Sequence, residues 1–186
     1  MSRFKIHSLP LEGLKLIERQ KMGDSRGFLA RMFCAEELKP AGWKNTIQQI
    51  NHTMTEKKGT VRGFHYQIPP HSEMKLVSCI AGKILDFAID IRKGSDTFLQ
   101  VYSEELSAEN GKTLLIPEGF AHGFQSLTDN VELLYCHSEA YAADAEAGLN
   151  PLDPKLNISW PLEISDLSDR DQKHPFINEK FEGIKI

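Results

Sequence analysis

The clearest pattern in the chain is an alternation of apolar and polar residues with a period of two. In residues 84–92 one face carries Leu85, Phe87, Ile89 and Ile91. The opposite face carries Asp86, Ala88, Asp90 and Arg92. A period of two is typical of a β-strand with one apolar and one polar face.

Further strands are predicted at 46–51, 61–67, 75–81, 99–106, 113–116, 123–127 and 131–137. Turn-forming residues separate them at 81–83, 93–96, 109–111 and 128–130. Helical periodicity is weak: one or two turns are expected at 35–39, ended by Pro40, and a short piece at 142–147. Many short strands with few helices favour a β-sandwich or barrel. Residues 1–30 are expected to add edge strands, and the proline-containing segment 150–186 to form a loop-rich tail over the barrel.

Composition narrows the class of protein. The 186 residues, 40% hydrophobic and 26% charged, fit a single domain over residues 1–186. A formal net charge of -4 argues against nucleic-acid or anionic-membrane partners. No apolar run reaches the length of a membrane helix or resembles a secretion signal. Three widely spaced cysteines predict reduced thiols, so a cytoplasmic location is expected.

Two segments carry the paired spacing of the cupin superfamily. In the second motif Gly111, Pro117, Gly119 and His122 fit, with Ser126 in the usual Asn position. In the first motif Gly59 and His65 fit, but Gln67 replaces the second His and Lys75 the Glu. Two of the four usual metal ligands are therefore lost, and an ammonium group repels a metal ion. We expect the cavity to persist without a bound metal.

Longer stretches resemble the dTDP-4-dehydrorhamnose 3,5-epimerase family between about residues 22 and 175. The resemblance is carried by the segments 24–28, 49–52, 62–67, 75–77, 86–92, 106–110, 116–124, 153–154, 160–161 and 167–171. It implies an all-β fold, a cupin or jelly-roll β-barrel with short peripheral helices. It also implies an epimerase that inverts carbon 3, carbon 5 or both in a nucleotide-linked 4-keto-6-deoxyhexose, in the biosynthesis of deoxysugars and polysaccharides.

Inversion beside a ketone needs a base, a stabiliser for the enolate and an acid on the opposite face. His65 is the expected base, because an imidazole accepts protons near neutral pH. The resemblance implies Asp171, in Leu-Ser-x-x-Asp, as its orienting carboxylate, Lys75 as the enolate stabiliser and Tyr135 as the acid.

Eight further residues are expected to bind the substrate. Arg62 suits the pyrophosphate, because a guanidinium binds phosphate oxygens in pairs. The resemblance implies that the nucleotide is held by Arg26, Gln49 and Asn51. It places Phe28 near the base of the nucleotide, His122 at the ketone, Asp86 in the cavity and Tyr141 near the sugar.

The chain departs from the family pattern beside the expected acid and in the tail. Cys136 and His137 follow Tyr135 where a Lys is usual first, Ala140 replaces an aromatic, and Pro151-Leu152 replaces Trp-Asn. These departures leave room for an epimerase that acts at C3 or C5 alone, on a CDP- or GDP-linked sugar. The fold would also suit a sugar-nucleotide ketoisomerase, a metal-dependent cupin oxygenase or a non-catalytic sugar-binding cupin.

The sequence also bears on cofactors and partners. The reaction is redox-neutral and no glycine-rich dinucleotide fingerprint is present, so no organic cofactor is expected. The expected partner is the nucleotide-sugar substrate. The resemblance also implies a homodimer in which N-terminal strands are shared between barrels.

Overall fold

The structure, a computed structural model, describes residues 2–44 and 46–186. The strands are β1 Phe4–Ser8, β2 Lys15–Arg19, β3 Lys21–Asp24, β4 Gly27–Ala30, β5 Gln49–Thr55, β6 Thr60–Gln67, β7 Lys75–Ala81, β8 Lys83–Asp90, β9 Val101–Ser107, β10 Lys112–Ile116, β11 Phe120–Ser126, β12 Val131–His137, β13 Glu146–Gly148 and β14 Asp166–Leu167. The helices are α1 Ala35–Leu38 and α2 Asp169–Lys173. Single 3-10 turns cover Lys39–Ala41, Ala143–Ala145 and Pro154–Leu156.

Two antiparallel sheets form the body of the fold. One has the order β1-β2-β10-β7-β12-β5, and the other β13-β6-β11-β8-β9, with β14 parallel to β6. An apolar core containing Val77 and Leu114 of the first sheet and Ile84 and Phe124 of the second lies between them. The predicted all-β jelly-roll class is confirmed, and no helix in the described chain is long and apolar enough to span a membrane.

The N-terminal part of the chain forms the predicted edge strands, and it differs from the prediction at α1 and at the start of β5. β1 and β2 extend one edge of the first sheet, and β3 and β4 form a separate hairpin. α1 ends before Pro40, but the chain continues as a 3-10 turn, because proline is tolerated in the first turn of a helix. The predicted strand at 46–51 begins instead at Gln49 and runs to Thr55.

The alternating strand β8 is covered on both faces. Its apolar side chains, including Phe87 and Ile89, pack under the C-terminal tail against Leu156 and Ile177. Its other face points between the sheets, where Asp86 and Ala88 are fully buried. The polar face therefore lines the interior of the barrel rather than its surface.

Gly63 permits the close approach of the two strands that form one wall of the interior. A Cβ atom at this position would lie 2.6 Å from the Cα atom of Gly123 on the neighbouring strand β11. Its φ of +116° is also in the region that favours glycine. The glycine thus lets β6 and β11 pair closely and present His65 opposite His122.

Candidate active site

A cavity of about 620 Å³ opens between the sheets. Its lining includes nine of the twelve residues predicted for the site: Gln49, Asn51, Arg62, His65, Lys75, His122, Tyr135, Tyr141 and Asp171. These residues come from both sheets and from the C-terminal tail. Residues that are distant in sequence thus meet in one pocket.

His65 and Asp171 form the first pair of this pocket. The His65 Nε2 atom lies 2.8 Å from Asp171 Oδ1, and the Asp171 side chain is 3% exposed. A carboxylate only accepts hydrogen bonds, so Nε2 carries the proton in this pair. The lone pair on Nδ1 is then free to accept a proton. An imidazole held in this way can act as an oriented base.

The short helix α2 fixes the position of Asp171. Ser168 caps the helix by accepting a hydrogen bond from the Asp171 backbone N–H at 3.1 Å. The Asp171 carboxylate points away from its own helix, and its Oδ2 accepts the Gly63 N–H at 3.2 Å. The Leu-Ser-x-x-Asp motif therefore supplies the N-cap of α2, and its last residue, the third of the helix, reaches across to His65.

The environment of Asp171 keeps its carboxylate ionised. Burial raises its pKa, but the hydrogen bond and charge of His65 and the Gly63 N–H outweigh burial and lower the pKa to about 2. Because the folded-state value lies below the ordinary 3.8, the stabilisation is present above about pH 4 and is lost as the pH falls towards 2.

Acid denaturation tests this coupling. Between pH 5 and pH 2, the free energy of unfolding of the wild-type protein is expected to fall by about 2 kcal/mol more than that of Asp171→Asn, which has no carboxyl to protonate. Urea denaturation followed by circular dichroism measures this difference, with Asp169→Asn on the exposed side of the same helix as the control. Equal falls for the wild type and Asp171→Asn would contradict the assignment.

A second pair, His122 and Asp86, lies one strand away. The His122 Nε2 atom is 2.7 Å from Asp86 Oδ1, and both side chains are buried. Burial raises the pKa of the Asp86 carboxyl, and the charge and hydrogen bond of His122 oppose that rise. Asp86 does not reach the cavity itself, so it acts on the pocket through His122.

Tyr135 projects from β12 beside these groups. Its ring lies 5.9 Å from the His122 ring in an edge-on arrangement and 6.0 Å from the His137 ring in a stacked one. Burial and the charge of Asp86 raise the pKa of the Tyr135 phenol well above its usual value. The phenol therefore carries its proton throughout the neutral range and can act as an acid.

Lys75 brings a positive charge to the same pocket. Its Nζ lies 3.1 Å from Glu73 Oε1 and donates to the His65 carbonyl oxygen at 3.3 Å. The side chain is 10% exposed. A buried ammonium beside a base and a phenol can stabilise negative charge that develops on a bound molecule.

The cupin-type metal ligand set is not assembled here. The Gln67 amide donates to the carbonyl oxygens of His71 and Ala140 and so ties loops together. The donor atoms of His65, Asp171 and His174 lie within 4.8 Å of one another. However, the His65–Asp171 hydrogen bond already uses two of these groups, and Arg170 Nη2 lies 3.0 Å from His65 Nε2. The positive charge of the Arg170 guanidinium at this distance opposes metal binding, so these three residues do not fit a metal ion.

The structure does not bring every predicted residue into the pocket. Arg26 and Phe28 lie on the β3–β4 hairpin, where the Arg26 side chain is 87% exposed and pairs with Asp24. Phe28 is 63% exposed, and the Lys21 ammonium lies 4.9 Å from the centre of its ring. Neither residue lines the pocket of its own chain.

Pocket residues that the sequence analysis missed surround the predicted ones. They are Thr53, Thr60, Glu73, His137, Glu146, Ser168 and Arg170, among others. Glu73 stands two positions before Lys75, the spacing of side chains on one face of an extended chain, and this signal could have found it. Arg170 precedes Asp171 and pairs with Glu146 at 3.1 Å, a contact between distant segments that has no sequence signature.

Comparison of the sequence with known proteins gives one family model and several epimerases as relatives. The family model described as dTDP-4-dehydrorhamnose 3,5-epimerase matches residues 8–179. The chain is 42% identical to the dTDP-4-dehydrorhamnose 3,5-epimerase of Shigella flexneri over 157 residues, 84% of this chain and 86% of the relative. It is 36% identical to the dTDP-4-dehydro-6-deoxyglucose 3-epimerase of Streptomyces bikiniensis over 172 residues, 91% of this chain and 87% of the relative.

Solved structures show the same likeness. The crystal structure of a dTDP-6-deoxy-D-glucose-3,5-epimerase from Legionella pneumophila, in complex with dTDP-4-keto-L-rhamnose, superimposes with a TM-score of 0.88. It is 37% identical, and the match covers 93% of this chain and 92% of that structure.

Proposed function

We propose an epimerase function for this chain, which belongs to the dTDP-4-dehydrorhamnose 3,5-epimerase family. Its pocket binds a dTDP-linked 4-keto-6-deoxyhexose, and the enzyme inverts carbons beside the ketone. The enzyme is thus an epimerase, a member of the isomerase class. The observation that carries the assignment of its site is the hydrogen-bonded pair His65–Asp171 in one cavity with Lys75 and Tyr135.

Proton removal falls to His65. A hydrogen next to a carbonyl is acidic because its removal gives an enolate, and the unprotonated Nδ1 of His65 accepts it. Asp171 stabilises the imidazolium that forms, since its carboxylate is ionised and only 3% exposed. The buried Lys75 ammonium then offsets the negative charge that develops on the ketone oxygen.

Proton return falls to Tyr135. Its phenol gives a proton to the face of the carbanion opposite His65, which leaves a phenolate and an imidazolium. Exchange with solvent restores both groups. His122, held by Asp86, positions the ketone. Inversion follows because the proton leaves to one residue and arrives from another.

The nucleotide part is assigned to the rim of the pocket. The Arg62 guanidinium is held by Thr55 Oγ1 at 2.9 Å and suits the pyrophosphate. Gln49 donates to Asn51 Oδ1 at 3.0 Å and accepts the backbone N–H of Tyr141 at 3.0 Å. The Tyr141 backbone is therefore held beside the amides that we assign to the nucleotide, and the hydroxyl of its half-exposed ring donates to Glu146 at 2.9 Å. We assign this ring to the sugar.

Inversion at carbon 3 alone is the second candidate function, because the 3-epimerase relative shares 36% identity over 91% of the chain. Incubation in heavy water with dTDP-, CDP- and GDP-linked 4-keto-6-deoxyglucose, followed by proton NMR, separates the possibilities. Loss of both the C3 and C5 proton signals of the dTDP sugar supports the double inversion. Loss of the C3 signal alone supports the single one. No exchange with any of the three sugars would refute the epimerase assignment.

We also propose that the enzyme works as a homodimer. The β3–β4 hairpin exposes Met22, Phe28 and Leu29, and the outer face of β5 exposes Ile50 and Met54. Met22 and Leu29 are cross-strand neighbours on the hairpin, and exposed apolar patches favour burial against a partner. A second copy of the chain would cover them and bring Arg26 and Phe28 to the neighbouring pocket.

Mixed dimers test this arrangement. Arg26→Ala and His65→Gln are each expected to be inactive alone, but their co-expression should restore about one quarter of wild-type activity, since half of the dimers would carry one intact site. Co-expressed His65→Gln and Asp171→Asn form the control, because both residues belong to the same pocket. The wild-type mass by light scattering should be twice 21.0 kDa. A monomeric mass, or equal activity in both mixtures, would contradict the shared site.

The proposed reaction also bears on the cellular location and on the cofactor requirement of the enzyme. We infer that residues 1–186 act as one domain in the cytoplasm, where nucleotide sugars are made for deoxysugar and polysaccharide biosynthesis. The reaction moves protons only, so an organic cofactor is not required. The substrate is a small molecule, and the net charge of -4 favours neither nucleic acid nor an anionic membrane as a partner.

A further inference from the structure

A third imidazole–carboxylate pair lies at the pocket beside the two already described. The His137 Nδ1 atom is 2.7 Å from Glu73 Oε2, as short as the contact between His122 and Asp86. Both His137 and Glu73 line the cavity. No role in the proposed mechanism uses either residue, and His137 stands in a segment where the chain departs from the family pattern.

Glu73 bridges this histidine to the expected enolate stabiliser. One carboxylate oxygen is 2.7 Å from His137 Nδ1, and the other is 3.1 Å from Lys75 Nζ. The three side chains are 9 to 11% exposed. In the sheet His137 is also the direct cross-strand neighbour of Lys75. Lys75 is therefore held at two points: its backbone lies beside that of His137 in the sheet, and its ammonium group contacts the Glu73 carboxylate.

The charges favour a fixed arrangement. Burial raises the pKa of the Glu73 carboxyl, but the hydrogen bond of His137 and the charge of Lys75 outweigh burial and lower it. An isolated buried ammonium is costly, and a hydrogen-bonded carboxylate offsets that cost. His137 holds the second oxygen of Glu73, so the carboxylate has a partner on each side.

We propose that His137 and Glu73 are positioning residues that fix the Lys75 ammonium against the developing enolate oxygen. The inference rests on the proposed function, since it assigns a geometry to Lys75 in that reaction. His137 does not touch the reacting atoms in this view, and its effect passes through the Glu73 carboxylate.

The decisive variant is His137→Phe, which removes the Nδ1–H donor and keeps an aromatic ring beside Tyr135. We expect kcat to fall about 10- to 100-fold, because small displacements of a catalytic group are costly, while KM changes by less than about threefold. Deuterium exchange and inversion should fall together, since both pass through the enolate. His137→Gln, whose amide can still donate to Glu73, should recover part of the activity.

The matched control is His7→Phe, because His7 forms an exposed pair with Glu18 at 3.3 Å on β1 and β2. It should behave as the wild type. Glu73→Gln should reproduce the kcat loss of His137→Phe, and the double variant should be little worse than either, as expected for residues that act as one unit. Glu73→Gln carries the test if His137→Phe does not fold.

Failure of this role and failure of the proposed function give different results. If the wild-type enzyme exchanges no deuterium into the dTDP-linked 4-keto-6-deoxyglucose, the proposed function is wrong. If the wild type exchanges and His137→Phe and Glu73→Gln turn over as fast as His7→Phe, only the positioning role is overturned. Additive losses in the double variant would overturn it as well.

Discussion

Replacing His65 by glutamine is expected to lower kcat by about 10²–10⁴-fold, the usual contribution of a general base. Glutamine retains a group that can hydrogen-bond to Asp171, but it cannot take up the substrate proton. Exchange of the C3 and C5 hydrogens with heavy water should therefore stop together with inversion. Proton NMR follows both events in one sample.

Binding provides the control for this prediction. In the proposed mechanism His65 acts on the sugar rather than on the nucleotide, so the Kd for dTDP measured by calorimetry should stay within about threefold of the wild type. His71→Gln, at a half-exposed histidine next to Glu139, should retain full activity. Exchange at the wild-type rate in His65→Gln would assign the base to another residue.

Replacing Tyr135 by phenylalanine is expected to separate exchange from inversion. The phenol is buried and protonated at neutral pH, so it is the available acid on its side of the pocket. Without it, the enolate still forms, but its proton returns from His65 to the original face. We expect inversion to fall about 10²–10⁴-fold, with deuterium incorporation at retained configuration reduced much less.

A tyrosine of similar chemistry outside the pocket serves as the control. Tyr102 donates to Glu104 at 2.7 Å on β9, and Tyr102→Phe should leave both rates unchanged. Mass spectrometry of the recovered substrate and product counts the deuterium in each. If Tyr135→Phe lost exchange and inversion in equal measure, Tyr135 would stabilise the enolate instead of donating the proton.

The local sequence pattern was sufficient for most strands. The alternation in residues 84–92 and 131–137 predicted β8 and β12 to within two residues, because side chains on a strand must alternate between two faces. The short helix α2 was missed. Its five residues are too few to show a helical period, and its stability comes from the Ser168 cap and from tertiary contacts.

In the site, too, local motifs indicate some features, and contacts between distant segments decide the others. The spacing of Gly59 and His65, and of Gly119 and His122, indicated the two cupin motifs, and the structure pairs their histidines on adjacent strands. The contact between Glu73 and His137 joins segments that are 64 residues apart, so no local pattern reveals it. Arg26 and Phe28 matched the family motif, yet a motif cannot say whether a residue serves its own pocket or that of a second copy.

The sequence alone determined the fold class and the family, because these depend on residue types at fixed spacing, and it pointed to His65 and Asp171 as the candidate base and its orienting carboxylate. The tertiary structure decided which face of each strand became the interior. The tail covers the apolar face of β8, so the face that carries Asp86 turns inward, where His122 offsets part of the cost of its burial. It also decided the partners of Lys75 and His65, since hydrogen bonds between distant segments form only when the folded chain brings them within about 3 Å.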